Sequence, residues 1–110
     1  MYEYKTFVFM FYALDAVYDE SKDEILGDYL SGLNPFLFEE EGSADPAEFE
    51  EFKKAYISFF GKKIPDSQEA HSFCKNYLEK YAKEVIVKAF EKIEVEDWVS
   101  AFEGTEERLL

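Results

Sequence analysis

Along this chain, stretches of helical periodicity alternate with short runs of Gly, Pro, Asn, Asp and Ser. The clearest periodic segment starts at Asp45, a capping residue followed by Pro46 at the first helical position and by Glu48 three residues after the cap. Phe49, Phe52, Tyr56 and Phe59 then recur at spacings of 3, 4 and 3, which is one helical face, and Gly61 closes the segment. A second start signal, Pro65-Asp66-Ser67, opens the longest element. One stripe, Ala70, Phe73, Tyr77, Tyr81 and Val85, and an adjoining one, Leu78, Ala82, Ile86, Ala89, Phe90 and Ile93, predict a continuous helix from about residue 66 to about residue 92. A short final helix, roughly residues 95–103, places Trp98, Val99 and Phe102 inward.

The first segment reads two ways. Tyr4, Phe7, Phe11, Leu14 and Tyr18 are spaced 3, 4, 3 and 4, as on a helix. Yet Phe7 to Tyr12 is apolar on all sides and rich in strand formers, so a strand over residues 5–12, and with it an α+β fold, is the alternative. The other strand-like windows, residues 56–60 and 85–87, lie inside helical periodicity, and a lone strand leaves its backbone groups unpaired. A buried central helix is therefore expected. A shorter helix, about residues 22–33, stops before Asn34-Pro35, because the residue preceding a proline avoids helical geometry. The predicted fold is all-α, a single irregular bundle of about five helices over residues 1–110.

Composition narrows the class. The 110 residues are 47% hydrophobic, too apolar for a disordered segment. A 12.9 kDa chain buries about two-thirds of its unfolded surface, enough for one core and not for two. The apolar run Phe7 to Tyr12 does not read as a signal peptide, since it follows Glu3 and Lys5 and has no small-residue cleavage site after it, and the uncharged stretch around it ends at Asp15, far short of the ~20 residues that span a bilayer. Cys74 is the only cysteine, which excludes an intramolecular disulfide and a cysteine-based zinc cluster and makes a reducing cytoplasm the expected setting. Eleven lysines against one arginine, Arg108, suggest an AT-rich, low-GC bacterial genome.

Residues with catalytic or metal-binding chemistry are sparse. His71 and Cys74 are three apart and share a helix face, but a closed zinc site needs four ligands and a thiol–imidazole dyad needs an orienting group that no local pattern supplies. The expected role of Cys74 is a buried structural thiol. A di-iron centre in a helical bundle uses two Glu-x-x-His motifs, whereas here there is one histidine and Gln68 stands three residues before it. The acids Asp19, Glu20, Asp23, Glu24 and Asp28 do not follow the calcium-loop pattern, since Lys22 intrudes and Gly27 falls wrongly. No phosphate loop or nucleophile elbow exists. Asn34-Pro35-Phe36 matches a short endocytic recognition motif, but a helix-ending Asn-Pro with Phe36 folding back on the core is the plainer reading. No catalytic residue, metal or cofactor is expected.

Charge changes the picture more. The chain has 25 acidic and 12 basic side chains, a net of −13. Residues 1–55 hold 14 acids and 4 bases, a net of −10, against a net of −3 for residues 56–110. Residues 19–51 alone hold 12 acids and one base, Lys22. Such a field repels nucleic acid and anionic membranes and attracts basic proteins. Aromatic and aliphatic side chains, Tyr29, Phe36, Leu37 and Phe38, lie within the same stretch. An apolar anchor ringed by acids suits a basic partner. The expected contact residues are Asp19, Glu20, Asp23, Glu24, Asp28, Tyr29, Phe36, Phe38, Glu39, Glu40, Glu41, Glu48 and Glu51. The sequence-based expectation is a non-enzymatic acidic binding protein, most concretely an immunity-type inhibitor that neutralises a cationic nuclease or other toxin. It leaves a homo-oligomer open. The rivals are a nucleic-acid mimic, which needs rows of acids on an elongated face, and a small metal-dependent enzyme using His71 and Cys74. A merely solubilising acidic surface is the plainest alternative.

Overall fold

The computed structural model describes residues 2–36 and 41–104. Among them are six helices and no strand: α1 (Tyr2–Ser21), α2 (Glu24–Leu33), α3 (Pro46–Phe60), α4 (Ser67–Tyr81), α5 (Glu84–Glu91) and α6 (Val95–Gly104). The fold is an all-α bundle, as the periodicity predicts, with one helix more than expected.

Helix α1 settles the ambiguous first segment as helix. Six consecutive residues, Lys5 to Met10, are buried, and Ala13, Leu14 and Val17 continue the contact. A helix can be apolar all round only when neighbours cover every side. Helix α1 meets that condition, since all five other helices pack against it. It ends where Lys22 adopts a left-handed backbone (φ 53°), and Asp23 then caps α2, its Oδ1 accepting from the Leu26 amide at 3.0 Å. The turn explains why α2 begins at Glu24 rather than at residue 22. Helices α1 and α2 approach closely at Gly27, where a Cβ would lie 2.8 Å from the Tyr18 ring.

Helix α3 has the predicted cap and bounds, with Asp45 Oδ1 accepting from the Ala47 amide and Gly61 at φ 61° ending it. Its inward face differs at the last turn. Phe60 is buried and Phe59 is 68% exposed, so the stripe runs Phe49, Phe52, Tyr56, Phe60. At spacings of 3, 4 and 4 this row follows the core around the helix, and Phe59 lies one position off it.

The continuous helix expected over residues 66–92 is two helices. Helix α4 has a capping box between Asp66 and Glu69 and ends at Tyr81; Ala82 and Lys83 are extended, and α5 follows. No Gly or Pro marks this break. A straight helix over residues 66–92 would be about 40 Å long, more than the largest Cα extent of 36 Å. Bending at Ala82 returns α5 to the core, where Ile86, Ala89 and Phe90 are buried against α1, α2 and α4. The same bend carries Tyr81, expected on the inner stripe, to the surface, where it is 47% exposed. Helix α6 buries Trp98 and Phe102, with Val99 half-buried. Trp98 Nε1 donates to the Ser67 carbonyl at 2.8 Å and Ser67 Oγ to Glu103, joining α6 to the start of α4.

Candidate functional site

His71 and Cys74 share a helix face as expected, but the environment of each is apolar. Cys74 is fully buried, and burial pushes its thiol well above the usual range. His71 stacks on Phe90 (centroids 5.0 Å) and meets Trp98 edge-on (5.5 Å), and its Nε2 has no hydrogen-bond partner among the described residues. Partial burial, and secondarily Lys75, hold the imidazole below its ordinary pKa. No group of three or more His, Cys, Asp or Glu side chains among the described residues is placed to hold a metal ion. Nor is any of the described helices long and apolar enough to cross a membrane.

The acidic residues predicted as contacts fall in different places. Asp19 and Glu20 are exposed in the last turn of α1, and Asp19 lies 3.7 Å from the Lys22 ammonium. Asp23 is occupied as the α2 cap. Phe36 follows α2, is 52% exposed and rests its ring on Phe11 and Tyr12 at 5.9 and 5.7 Å, so it folds back only in part. Phe38, Glu39 and Glu40 lie outside the described residues, and Glu41 is exposed.

Helix α2 is where predicted residues converge, because it runs between two grooves. On the α1 side, Glu24 and Asp28 line a groove of about 460 Å³ with Asp15 and Tyr18. On the other side, Asp28, Tyr29 and Glu48 line a groove of about 410 Å³ between α2, α3 and the turn into α5, together with Asp45, Tyr81 and Lys83. Asp28 is common to both. None of Asp15, Glu24, Asp28, Asp45 or Glu48 belongs to an ion pair within the described residues, whose pairs are Lys22–Asp19, Lys63–Glu69, Lys75–Glu91 and Lys88–Glu84. Partial burial, followed by the charges of Asp45 and Glu51, raises the Glu48 carboxyl above its ordinary range. The same two influences, burial first and then Glu48 and Glu51, push the Tyr29 phenol up.

Glu51 sits elsewhere, in a groove of about 550 Å³ between α3 and α4 whose charges are mixed, since Lys54 and Lys80 line it too. Its carboxylate accepts from the Tyr77 hydroxyl at 3.5 Å. The exposed ring of Phe59 lines this groove.

Several residues of the α2 grooves escaped the sequence reading. Asp15 precedes the dense run of acids, and Asp45 was accounted for as a cap. Ile25 lies one position off the buried row Leu26, Leu30, Leu33 and is 46% exposed, a placement that the spacing does signal. Tyr81 reaches the groove only through the bend at Ala82, which no residue type announces. The chain matches no protein-family model, and no curated protein or solved structure is significantly similar to it.

Proposed function

We propose that this chain is a non-catalytic cytoplasmic protein that captures a basic protein through the carboxylate-rich surface around α2 and the start of α3, in the manner of an immunity-type inhibitor. The observation that carries this reading is the pair of grooves flanking α2, which share Asp28 and gather Asp15, Glu24, Asp45 and Glu48, with the exposed side chains of Ile25 and Tyr81 lining the second. Like charges so placed cost stability, and a cationic partner relieves that cost on binding. Neither His71 nor Cys74 lines these grooves, which gives no support to an enzyme built on them. A nucleic-acid mimic is supported less, since the Cα extents of 36, 30 and 27 Å describe a nearly isometric body rather than a rod.

The test begins with capture of a partner from the source organism and measurement of its association at several salt concentrations. Exposed carboxylates act at long range, so Glu20→Gln, Glu24→Gln and Glu41→Gln combined should slow association several-fold and flatten its salt dependence while leaving dissociation nearly unchanged. Glu96→Gln on α6 is the control and should change neither rate. An acidic partner, or an unchanged association rate in the triple variant, would sink the proposal.

A further inference from the structure

We propose that the valley between α3 and α4, continued past Tyr81 into the groove beside α2, is the contact face of a twofold homodimer, with a second copy of this chain as its occupant. The inference stands apart from the function proposed above, since the groove on the α1 side of α2 shares only Asp28 with this face.

The valley is one surface rather than two separate grooves. Helices α3 and α4 run past each other in opposite directions, Phe52 meeting Tyr77 at 5.0 Å and Phe60 meeting Phe73 at 5.4 Å between centroids. Tyr81 lines both the α3–α4 groove and the groove beside α2, and so joins them. Of the eight large apolar side chains exposed among the described residues, three, Ile25, Phe59 and Tyr81, line this surface. Exposed apolar side chains gathered on one face of an otherwise charged body mark a contact site.

Charge selects the occupant. Along α3 the wall of the valley carries Asp45, Glu48 and Glu51, then Lys54, and at its far end Phe59. Lys80 lines the same stretch from α4, its ammonium 5.4 Å from the centroid of the Tyr81 ring. Neither Lys54 nor Lys80 belongs to an ion pair within the described residues. A wall with acids at one end, then a base, then an aromatic ring complements itself when it is turned end for end. A twofold axis between Glu51 and Lys54 lays Glu51 against the second copy's Lys54 and, by the same operation, Lys54 against the second copy's Glu51. In that antiparallel register Phe59 falls opposite position 46, at the acidic end, where Ile25 and Tyr81 are exposed. A wholly acidic or wholly basic partner would match one end of the valley and clash with the other, whereas a second copy matches both. Two chains of net charge −13 repel at long range. At an ionic strength of about 0.15 M the Debye length is ~8 Å, so that repulsion is confined to near neighbours while the facing pairs persist.

The test is sedimentation equilibrium of the full chain over a concentration series at that ionic strength. The wild type should show a monomer–dimer equilibrium. Phe59→Ala should weaken it roughly tenfold or more. Ile57→Ala, which trims a side chain that is also exposed on α3 but lines neither groove, should leave it unchanged. Glu51→Lys and Lys54→Glu should each abolish self-association, because like charges then face each other twice. Mixed in equal amounts, the two charge variants should form a heterodimer, since both facing pairs again join opposite charges, and misfolded chains could not give that rescue. A wild type that stays monomeric throughout, a dimer untouched by Phe59→Ala, or charge variants that fail to pair when mixed would overturn the proposal.

Discussion

His71 shows how a single residue acquires a property that its type does not carry. On an unfolded chain its imidazole titrates near 6.5; in the fold, burial beside Phe90 and Trp98 and the nearby Lys75 ammonium lower that value. Well above pH 6.5 the ring is neutral in both states and contributes nothing to pH dependence. As the pH falls below that point the unfolded chain takes up a proton that the folded protein resists, so stability declines until the folded ring is protonated too. Melting temperature measured between pH 7 and pH 5 should therefore fall more in the wild type than in His71→Gln. Glu48 works in the opposite sense: its raised carboxyl takes up a proton more readily in the fold, so acidification near the carboxylate range favours folding there. The two-protein difference isolates the histidine, because both chains carry the same acids. Identical pH profiles would place the imidazole in water in the folded state.

At the scale of elements, the helix ends are unequal. Helix α4 begins with a reciprocal capping box between Asp66 and Glu69, at 2.8 and 3.1 Å, whereas α5 begins at Lys83 with no side-chain cap. Asp66→Ala should cost about 1–2 kcal/mol, since it leaves an amide of the first turn without its acceptor. Lys83→Asn should gain about 0.5–1 kcal/mol by supplying the missing acceptor. Urea unfolding of the two variants measures both, and a loss of stability in Lys83→Asn would mean that Lys83 holds the bend by contacts of its own. The bend suits the size of the bundle: a straight helix over residues 66–92 would be longer than its largest dimension, and α5 buries Ile86, Ala89 and Phe90 by turning back.

For the molecule as a whole, charge opposes compactness. There are 25 acids against 12 bases, and the four ion pairs within the described residues are all solvent-exposed and thus of small worth. Added salt weakens those pairs a little and screens the net repulsion more, because unpaired like charges within ~10 Å dominate the sum. Melting temperature should rise between low and moderate ionic strength, and thermal unfolding in a series of sodium chloride concentrations checks it. A flat or falling curve would show that the carboxylates around α2 are already compensated.

What the sequence by itself determined was the type and most of the limits of the helices, because these are set locally. Asp45-Pro46 and Asp66 with Glu69 stop and start the chain through their own side chains and rings. The row Leu26, Leu30, Leu33 has the period of a helix wherever it is packed, and the density of acids over residues 19–51 is visible without any fold. Which side of each helix is covered is a different matter, because burial depends on neighbours distant in sequence. Only the tertiary structure made the strand-like run of α1 a fully enclosed helix, buried Lys5 with its ammonium 3.9 Å over the Phe102 ring, and chose Phe60 over Phe59. It also broke the long helix at Ala82, where no residue signals a stop. That break brings Tyr81 and Lys83 beside Asp28, Asp45 and Glu48. The acids were legible as a charge; their gathering into a groove with aromatic walls was not, because it follows from the dimensions of the core.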